Sequence, residues 1–340
     1  MRSPRVLRFV GQAGDVRLYV YRPALREARG VYLIAPGLHY AGPDDPRLDR
    51  FCRVLAHAGF VVVAPFLPDF LALRIAPSTT AHLAAAFDHA VAIADAEELE
   101  GPAVFSISFG SRPAIELCAE ERGRRATRLV LFGGFCDFDA TVRFAITGRA
   151  EHEGLALILP HDPLNAPVVH LNLLPFHDEI DRDALAPKLR AMVEATWGRP
   201  ELKVGDARAA HARPLAEALA ERERAFFMEA CGLVKGGEER LVRALANARD
   251  AFAWADPRPF LARVHPPVSI VHGRDDDVIP WPQAHALQRA LPSGHPHELI
   301  FTGLYGHTAV ERPSPRALVS ELSAMWRVVR AMSGATRARP

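Results

Sequence analysis

The sequence is nearly without lysine. Lys188, Lys203 and Lys235 are its only three, so arginine supplies almost all the positive charge. That skew reads as codon usage and carries no functional meaning by itself. Nor is either sign in surplus: 41 basic residues face 40 acidic ones, for a net charge of +1. Such balance gives no electrostatic reason to expect nucleic acid or an anionic membrane as partner. Cysteine is scarce too. Cys52, Cys118, Cys136 and Cys231 form no C-x-x-C pair, which argues against a disulfide scaffold and a zinc ribbon. Buried free thiols in a reducing compartment are expected. No apolar run is long enough to span a bilayer. Met1-Arg2-Ser3-Pro4-Arg5 leads straight into a strand-like alternation, without the apolar segment of a signal peptide. The expected location is therefore cytoplasmic. Neither G-x-x-x-x-G-K-[ST] nor G-x-G-x-x-G occurs, so no phosphate-cradling loop is indicated. His295-Pro-His297 lacks a third ligand at suitable spacing and reads as a surface turn, so no metal is expected.

What the chain does have is an alternation of buried strands and amphipathic helices. Residues 5–22 read as a hairpin turning at Gly14-Asp15. Val31–Ala35, Phe60–Ala64, Ala103–Ile107 and Arg128–Phe132 are continuous apolar runs, the mark of strands covered on both faces. Between the first two, Asp45 is placed to cap a helix with Pro46 at its first position. Leu48, Phe51, Cys52 and Leu55 form that helix's apolar face, and Gly59 can end it. A second helix is expected over 79–97. From about 136 to 263 the alternation gives way to Pro-rich loops and helical patterns near 182–197, 207–231 and 237–254, with Gly236-Gly237 reading as a linker. Strands return at Val268–Val271 and Glu298–Phe301, and a last helix is expected after Ser314-Pro315. The fold class is α/β: a mostly parallel central sheet with helices on both faces. The core spans 1–135 and 264–340, interrupted by a mainly helical insertion, 136–263.

Ligands on such sheets bind at the carboxyl ends of strands. One such end carries Ser106-Ile107-Ser108-Phe109-Gly110, running at once into the helical pattern Ala114–Cys118. A serine on so sharp a strand-to-helix turn needs small neighbours. Ser108 has Ser106 two before it and Gly110 two after, whereas Ser106 would have Val104 behind it. Taken alone, the stretch is equally a serine capping a helix. A serine nucleophile needs a histidine base and a carboxylate to orient that base. Two later strand ends offer them. Val268–Val271 is followed by His272-Gly273-Arg274-Asp275-Asp276-Asp277-Val278-Ile279-Pro280, and Glu298–Phe301 by Thr302-Gly303-Leu304-Tyr305-Gly306-His307. Asp275 and Asp277 read as a solvated acidic turn. His39, His161, His170, His177, His265 and His285 read individually as structural.

On these three motifs, residues 5–135 and 264–332 resemble the α/β-hydrolase superfamily, and the insertion resembles its cap. The resemblance implies a triad of Ser108, Asp276 and His307. It favours Asp276 by register after the glycine, with Asp137 or Asp139 as the alternative position for the acid. It implies an oxyanion loop at Pro36-Gly37-Leu38, with the backbone N–H groups of Leu38 and Phe109 as donors. It further implies a serine hydrolase that cleaves a carboxylic ester or thioester of a small or medium acyl substrate, without cofactor or metal. A peptidase or acyltransferase with the same triad, or a non-catalytic binding protein of the same fold, are the alternatives. Phe138, Phe144, Phe226, Phe227 and Met228 could line an acyl pocket in the insertion, but packing is the better expectation for each.

Overall fold

A computed structural model describes residues 5–178 and 180–303. The strands are β1 (Val6–Ala13), β2 (Val16–Pro23), β3 (Val31–Ala35), β4 (Val61–Pro65), β5 (Ala103–Ile107), β6 (Arg128–Phe132), β7 (Arg149–His152), β8 (Leu155–Ile158), β9 (Val268–Gly273) and β10 (His297–Thr302). Eight of them form one sheet in the order β1-β2-β4-β3-β5-β6-β9-β10. β1 pairs antiparallel with β2, and β2 antiparallel with β4; from β4 to β10 every neighbour is parallel.

The reason these runs form central strands is visible in their two faces. Side chains alternate across a strand, so one set points each way. Leu33, Ala35, Val61, Val63, Val104, Leu129, Leu131 and Ile270 enter one core layer, with Leu83, Phe87, Ala90 and Ala94 of the helix Ser78–Ala96 and Ala114, Ile115 and Cys118 of the helix Ser111–Ala119. Tyr32, Ile34, Val62, Ala64, Phe105, Val130, Val271 and Ile300 enter the opposite layer, with Cys52, Leu55 and Ala56 of the helix Pro46–His57. Each helix thus seals one face. The helix Pro46–His57 starts as its sequence dictates: Asp45 accepts the Arg47 N–H at 2.8 Å, and Gly59 takes φ +103° just past the end.

The start of the helix Ser78–Ala96 has a device the sequence hides. Asp69, only 1% exposed, accepts bonds from Ser78 Oγ (2.6 Å) and Thr79 Oγ1 (3.2 Å) and pairs with Arg74. Burial pushes its carboxyl pKa up, but the Ser78 and Arg74 donors outweigh that and leave it below the ordinary value.

The chain divides into two compact units. One runs to Cys136, takes in Asp256–Asp275 and resumes at Gln283; the other is Asp137–Ala255 with Asp276–Pro282. The second unit is mainly helical, built on Leu185, Leu189, Met192, Phe226, Phe227 and Cys231. Phe144, Phe226 and Phe227 are fully buried, and Phe138 stacks on Phe252 with ring centroids 5.2 Å apart. These aromatics serve the unit's own packing.

Three expectations for this region are corrected. Residues 207–231 make two helices, Ala209–Glu217 and Glu221–Ala230, because the Arg224 guanidinium donates to the carbonyls of Ala216, Glu217 and Leu219 and satisfies the end of the first. Gly236-Gly237 is no linker. Gly236, at φ +122°, caps the helix Gly237–Ala248, and a Cβ on either glycine would come within 2.7 Å of Glu229. β7 and β8 form an unexpected hairpin, turning at Glu153-Gly154 with φ of +51° and +78°. Its Leu155 and Ile158 are exposed, so no burial pattern marked it.

All four cysteines are buried and unbridged. Burial pushes the Cys52 and Cys231 thiols up to about 12. No described helix is long and apolar enough to cross a membrane.

Candidate active site

The site is built on the end of β5. Ser108 follows the strand directly and opens a single 3-10 turn, Ser108–Gly110, that passes into the helix Ser111–Ala119. Its φ is +50°, one of only four positive values at non-glycine positions among the described residues. A side chain in the left-handed region costs of order 1–3 kcal/mol and persists only where surrounding packing holds it. Here the packing is identifiable. Ala35 of β3 sits opposite Ser106 of β5. The segment leaving β3 passes so close that a Cβ on Gly110 would meet the Ala35 and Pro36 carbonyl oxygens at 2.4 Å each. A Cβ on Gly37 would lie 3.5 Å from the Ser108 Cβ and 3.4 Å from the Ile107 carbonyl oxygen. The two glycines therefore let the Pro36-Gly37-Leu38 segment and the Ser108 turn touch through their backbones. Leu38 and Phe109, the two sequence-predicted amide donors, belong to these two touching segments.

Ser106 is a different kind of serine. It is fully buried within β5 and donates its hydroxyl to the Val130 carbonyl of β6 at 3.1 Å. That bond spends the hydroxyl on the sheet. Of the two serines, only Ser108 stands on the turn.

The loop beyond Leu38 is fixed by His39. Its Nδ1 accepts the Ala41 N–H at 3.1 Å, its Nε2 lies 3.4 Å from Asp45 Oδ2, and its ring stacks on Tyr40 at 4.5 Å. Burial lowers its pKa, outweighing the neighbouring Asp45 carboxylate. His39 thus holds the loop in shape. Phe109 packs its ring against Phe135 at 5.3 Å.

The carboxylates after β9 separate into three environments. Asp275 is exposed, as a solvated turn requires. Asp276 Oδ1 accepts the N–H groups of Val278 and Ile279, both at 2.9 Å, closing a tight turn on itself. Asp277 stays partly solvated, its side chain 35% exposed, and is also paired: its Oδ2 lies 2.6 Å from Lys203 Nζ. Asp276–Pro282 groups with the second compact unit, held there by the Asp162 N–H on the Asp277 carbonyl at 2.7 Å and by Trp281 against His152. The alternative acids have structural work. Asp137 caps the helix Phe138–Thr147 through the Ala140 N–H, and Asp139 pairs with Arg143 one turn on. His307 lies outside the described residues. The Asp162–Lys203–Asp277 cluster was missed from sequence; no local pattern signals a pair 74 residues apart.

No protein-family model and no curated protein matches the chain. Solved structures do. Brefeldin A esterase, described as a bacterial homologue of human hormone-sensitive lipase, is 18% identical, with 97% of this chain and 76% of that one covered and a TM-score of 0.50. An esterase of Pyrococcus furiosus is 11% identical, with 98% and 91% covered and a TM-score of 0.50. At such identities the likeness is one of fold. With the strand order and the Ser108 turn described above, the chain has the fold of the α/β-hydrolase superfamily.

Proposed function

We propose that the protein is a serine hydrolase that cleaves a carboxylic ester or thioester of a small or medium acyl substrate. The observation that carries this reading is the backbone of Ser108. A serine held at φ +50° on a strand-to-helix turn, against a glycine-containing segment from the next strand, sits under strain that a mere helix cap does not need.

In the proposed reaction, Ser108 Oγ attacks the acyl carbonyl carbon while His307 takes the hydroxyl proton. The backbone N–H groups of Leu38 and Phe109 donate to the oxyanion of the tetrahedral intermediate. Each such donor is typically worth about 3–4 kcal/mol of transition-state stabilisation. The intermediate collapses, the bond to the alcohol or thiol breaks, and His307 returns its proton to that leaving group. Water then attacks acyl-Ser108, giving its proton to His307. The acid departs and Ser108 recovers its proton. Asp276 holds His307 in the correct tautomer and stabilises its cationic form. The chemistry needs neither cofactor nor metal. With its cysteines buried and unbridged, the cytoplasm is the proposed location.

A panel of acyl esters and thioesters tests the reading. Wild type should turn over members of the panel, while Ser108→Ala and His307→Ala reduce kcat to near background. Asp276→Asn should lower kcat by about four orders of magnitude. A folded wild type with no hydrolysis, or a Ser108→Ala variant with undiminished turnover, contradicts it.

A further inference from the structure

The turn that carries Asp276 is fastened by an ion cluster that the proposed reaction does not itself use. Lys203 Nζ lies 2.6 Å from Asp277 Oδ2 and 2.9 Å from Asp162 Oδ2. Asp162 makes further bonds with its other atoms. Its N–H donates to the Asp277 carbonyl at 2.7 Å, and its Oδ1 accepts the Leu164 N–H at 2.9 Å. Lys203 in turn stands on a short 3-10 turn, Pro200–Lys203, anchored by the buried Leu202. The Trp197 indole N–H on the Leu164 carbonyl, at 3.0 Å, ties the approach to that turn to the same place. Two segments far apart in sequence therefore converge on Asp277, Lys203 on its side chain and Asp162 on its backbone.

Asp277 also lies within the turn that holds Asp276. The Asp276 carboxylate bonds forward to the amides of Val278 and Ile279, so its direction follows the backbone of 277–279. A rotation at Asp277 would swing that turn as a whole. The cluster's chemistry suits such a clamp. The Lys203 side chain is 26% exposed, that of Asp162 12% and that of Asp277 35%. Solvent screens such partly buried charges less than fully exposed ones. An ammonium is a compact point charge that can meet one oxygen from each of two carboxylates. In a chain with arginine at almost every basic position, one of its three lysines stands here.

We propose that Lys203 is a positioning residue for catalysis. By clamping Asp277 against Asp162 it fixes the Asp276 turn and hence the direction of the carboxylate that orients the histidine base. This rests on the reading of Asp276 as the triad acid, and the two can be tested apart.

The experiment measures the second-order rate at which a fluorophosphonate probe labels the full-length chain at Ser108. The variants are Lys203→Met, Asp277→Asn, the double variant, Lys203→Arg and Asp276→Asn, with a thermal melt of each. Lys203→Met should label at least about tenfold more slowly, as expected for a small displacement of a catalytic group. Asp277→Asn should do likewise. The double variant should be no slower than the slower single, because one clamp is broken once. Lys203→Arg, which keeps the charge, should recover more than half of the lost rate in logarithmic terms. If Asp276→Asn slows labelling while Lys203→Met labels at the wild-type rate, the clamp is refuted and the acid assignment stands. If Asp276→Asn labels as wild type does, the acid assignment falls and takes the clamp with it. If the two single effects multiply in the double variant, Lys203 and Asp277 do not act as one device and the proposal is overturned. Should Lys203→Met fail to fold, Asp277→Asn decides alone, because it leaves the Asp162 N–H bond to the Asp277 backbone in place.

Discussion

Gly110→Ala opposes local backbone preference to packing. Gly110 has ordinary right-handed helical angles, φ −62° and ψ −15°. On backbone grounds alone, alanine there should stabilise the fold by roughly 0.5–1 kcal/mol. Packing reverses the sign. The new Cβ would lie 2.4 Å from the carbonyl oxygens of both Ala35 and Pro36, and 2.9 Å from the Ala35 carbonyl carbon. These are main-chain atoms at the end of a strand buried along its whole length, not the tip of a flexible side chain. Relieving such overlap means moving β3 and the Ser108 turn apart by about 0.6 Å or more in a close-packed interior. Overpacking of this kind costs roughly 1–3 kcal/mol and sometimes more, so a net loss of about 2–3 kcal/mol is expected. That corresponds to a fall in Tm of roughly 5–10 °C for a domain of about 150–250 residues. The same displacement pulls the Leu38 segment from the nucleophile, and labelling by a fluorophosphonate should slow about 10- to 100-fold. Gly154→Ala is the control. Its φ is +78° and nothing lies within 4 Å of the added methyl, so it should lose only about 1–2 kcal/mol of local strain and label normally. A Gly110→Ala protein with unchanged or raised Tm and normal labelling would refute the elbow geometry.

Other outcomes follow from named residues. Ser106→Ala should label at the wild-type rate while losing about 1 kcal/mol, since it only removes the hydroxyl's bond to the Val130 carbonyl; equilibrium denaturation and labelling read both. Asp137→Ala should cost about 1 kcal/mol as a lost helix cap and leave ester turnover intact. The stability of the second compact unit should fall on acidification. His170 and His177 are buried, and burial with nearby Arg240 lowers their pKa values to about 3 and about 4. The unfolded chain binds their protons first, so their contribution is complete above the ordinary histidine value of 6.5 and is lost as pH falls from there toward 4. His170→Leu should flatten that slope in chemical denaturation between pH 7.5 and 5; an unchanged slope would remove His170 as its source.

The parts of this fold that were legible in the sequence are those whose cause is local. β3 and β4 read as continuous apolar runs because both faces are covered. The helix Pro46–His57 announces itself through Asp45, Pro46 and Gly59 in succession. The Ser108 turn could be separated from Ser106 by the size of its neighbours alone, and its positive φ is the backbone form of that same steric requirement. What escaped depends on contacts between distant segments. Asp69 is an ordinary acidic residue in sequence, yet it is buried beneath three donors that start the helix Ser78–Ala96. Gly236-Gly237 resembles a flexible joint until Glu229 is seen pressing on it. Asp277 reads as a solvated turn residue, and its pairing with Lys203 from 74 residues away leaves no local signal. The β7–β8 hairpin left no trace because its apolar residues face outward.

The most direct test of the central claim is to find where a fluorophosphonate attaches. The full-length chain is labelled to completion, digested and analysed by mass spectrometry. The account predicts a single phosphonylated residue, Ser108, with no adduct on Ser106 or Ser111 and none anywhere in Ser108→Ala. An adduct on Ser106 or another serine, or a folded protein that takes up no probe at all, would contradict it.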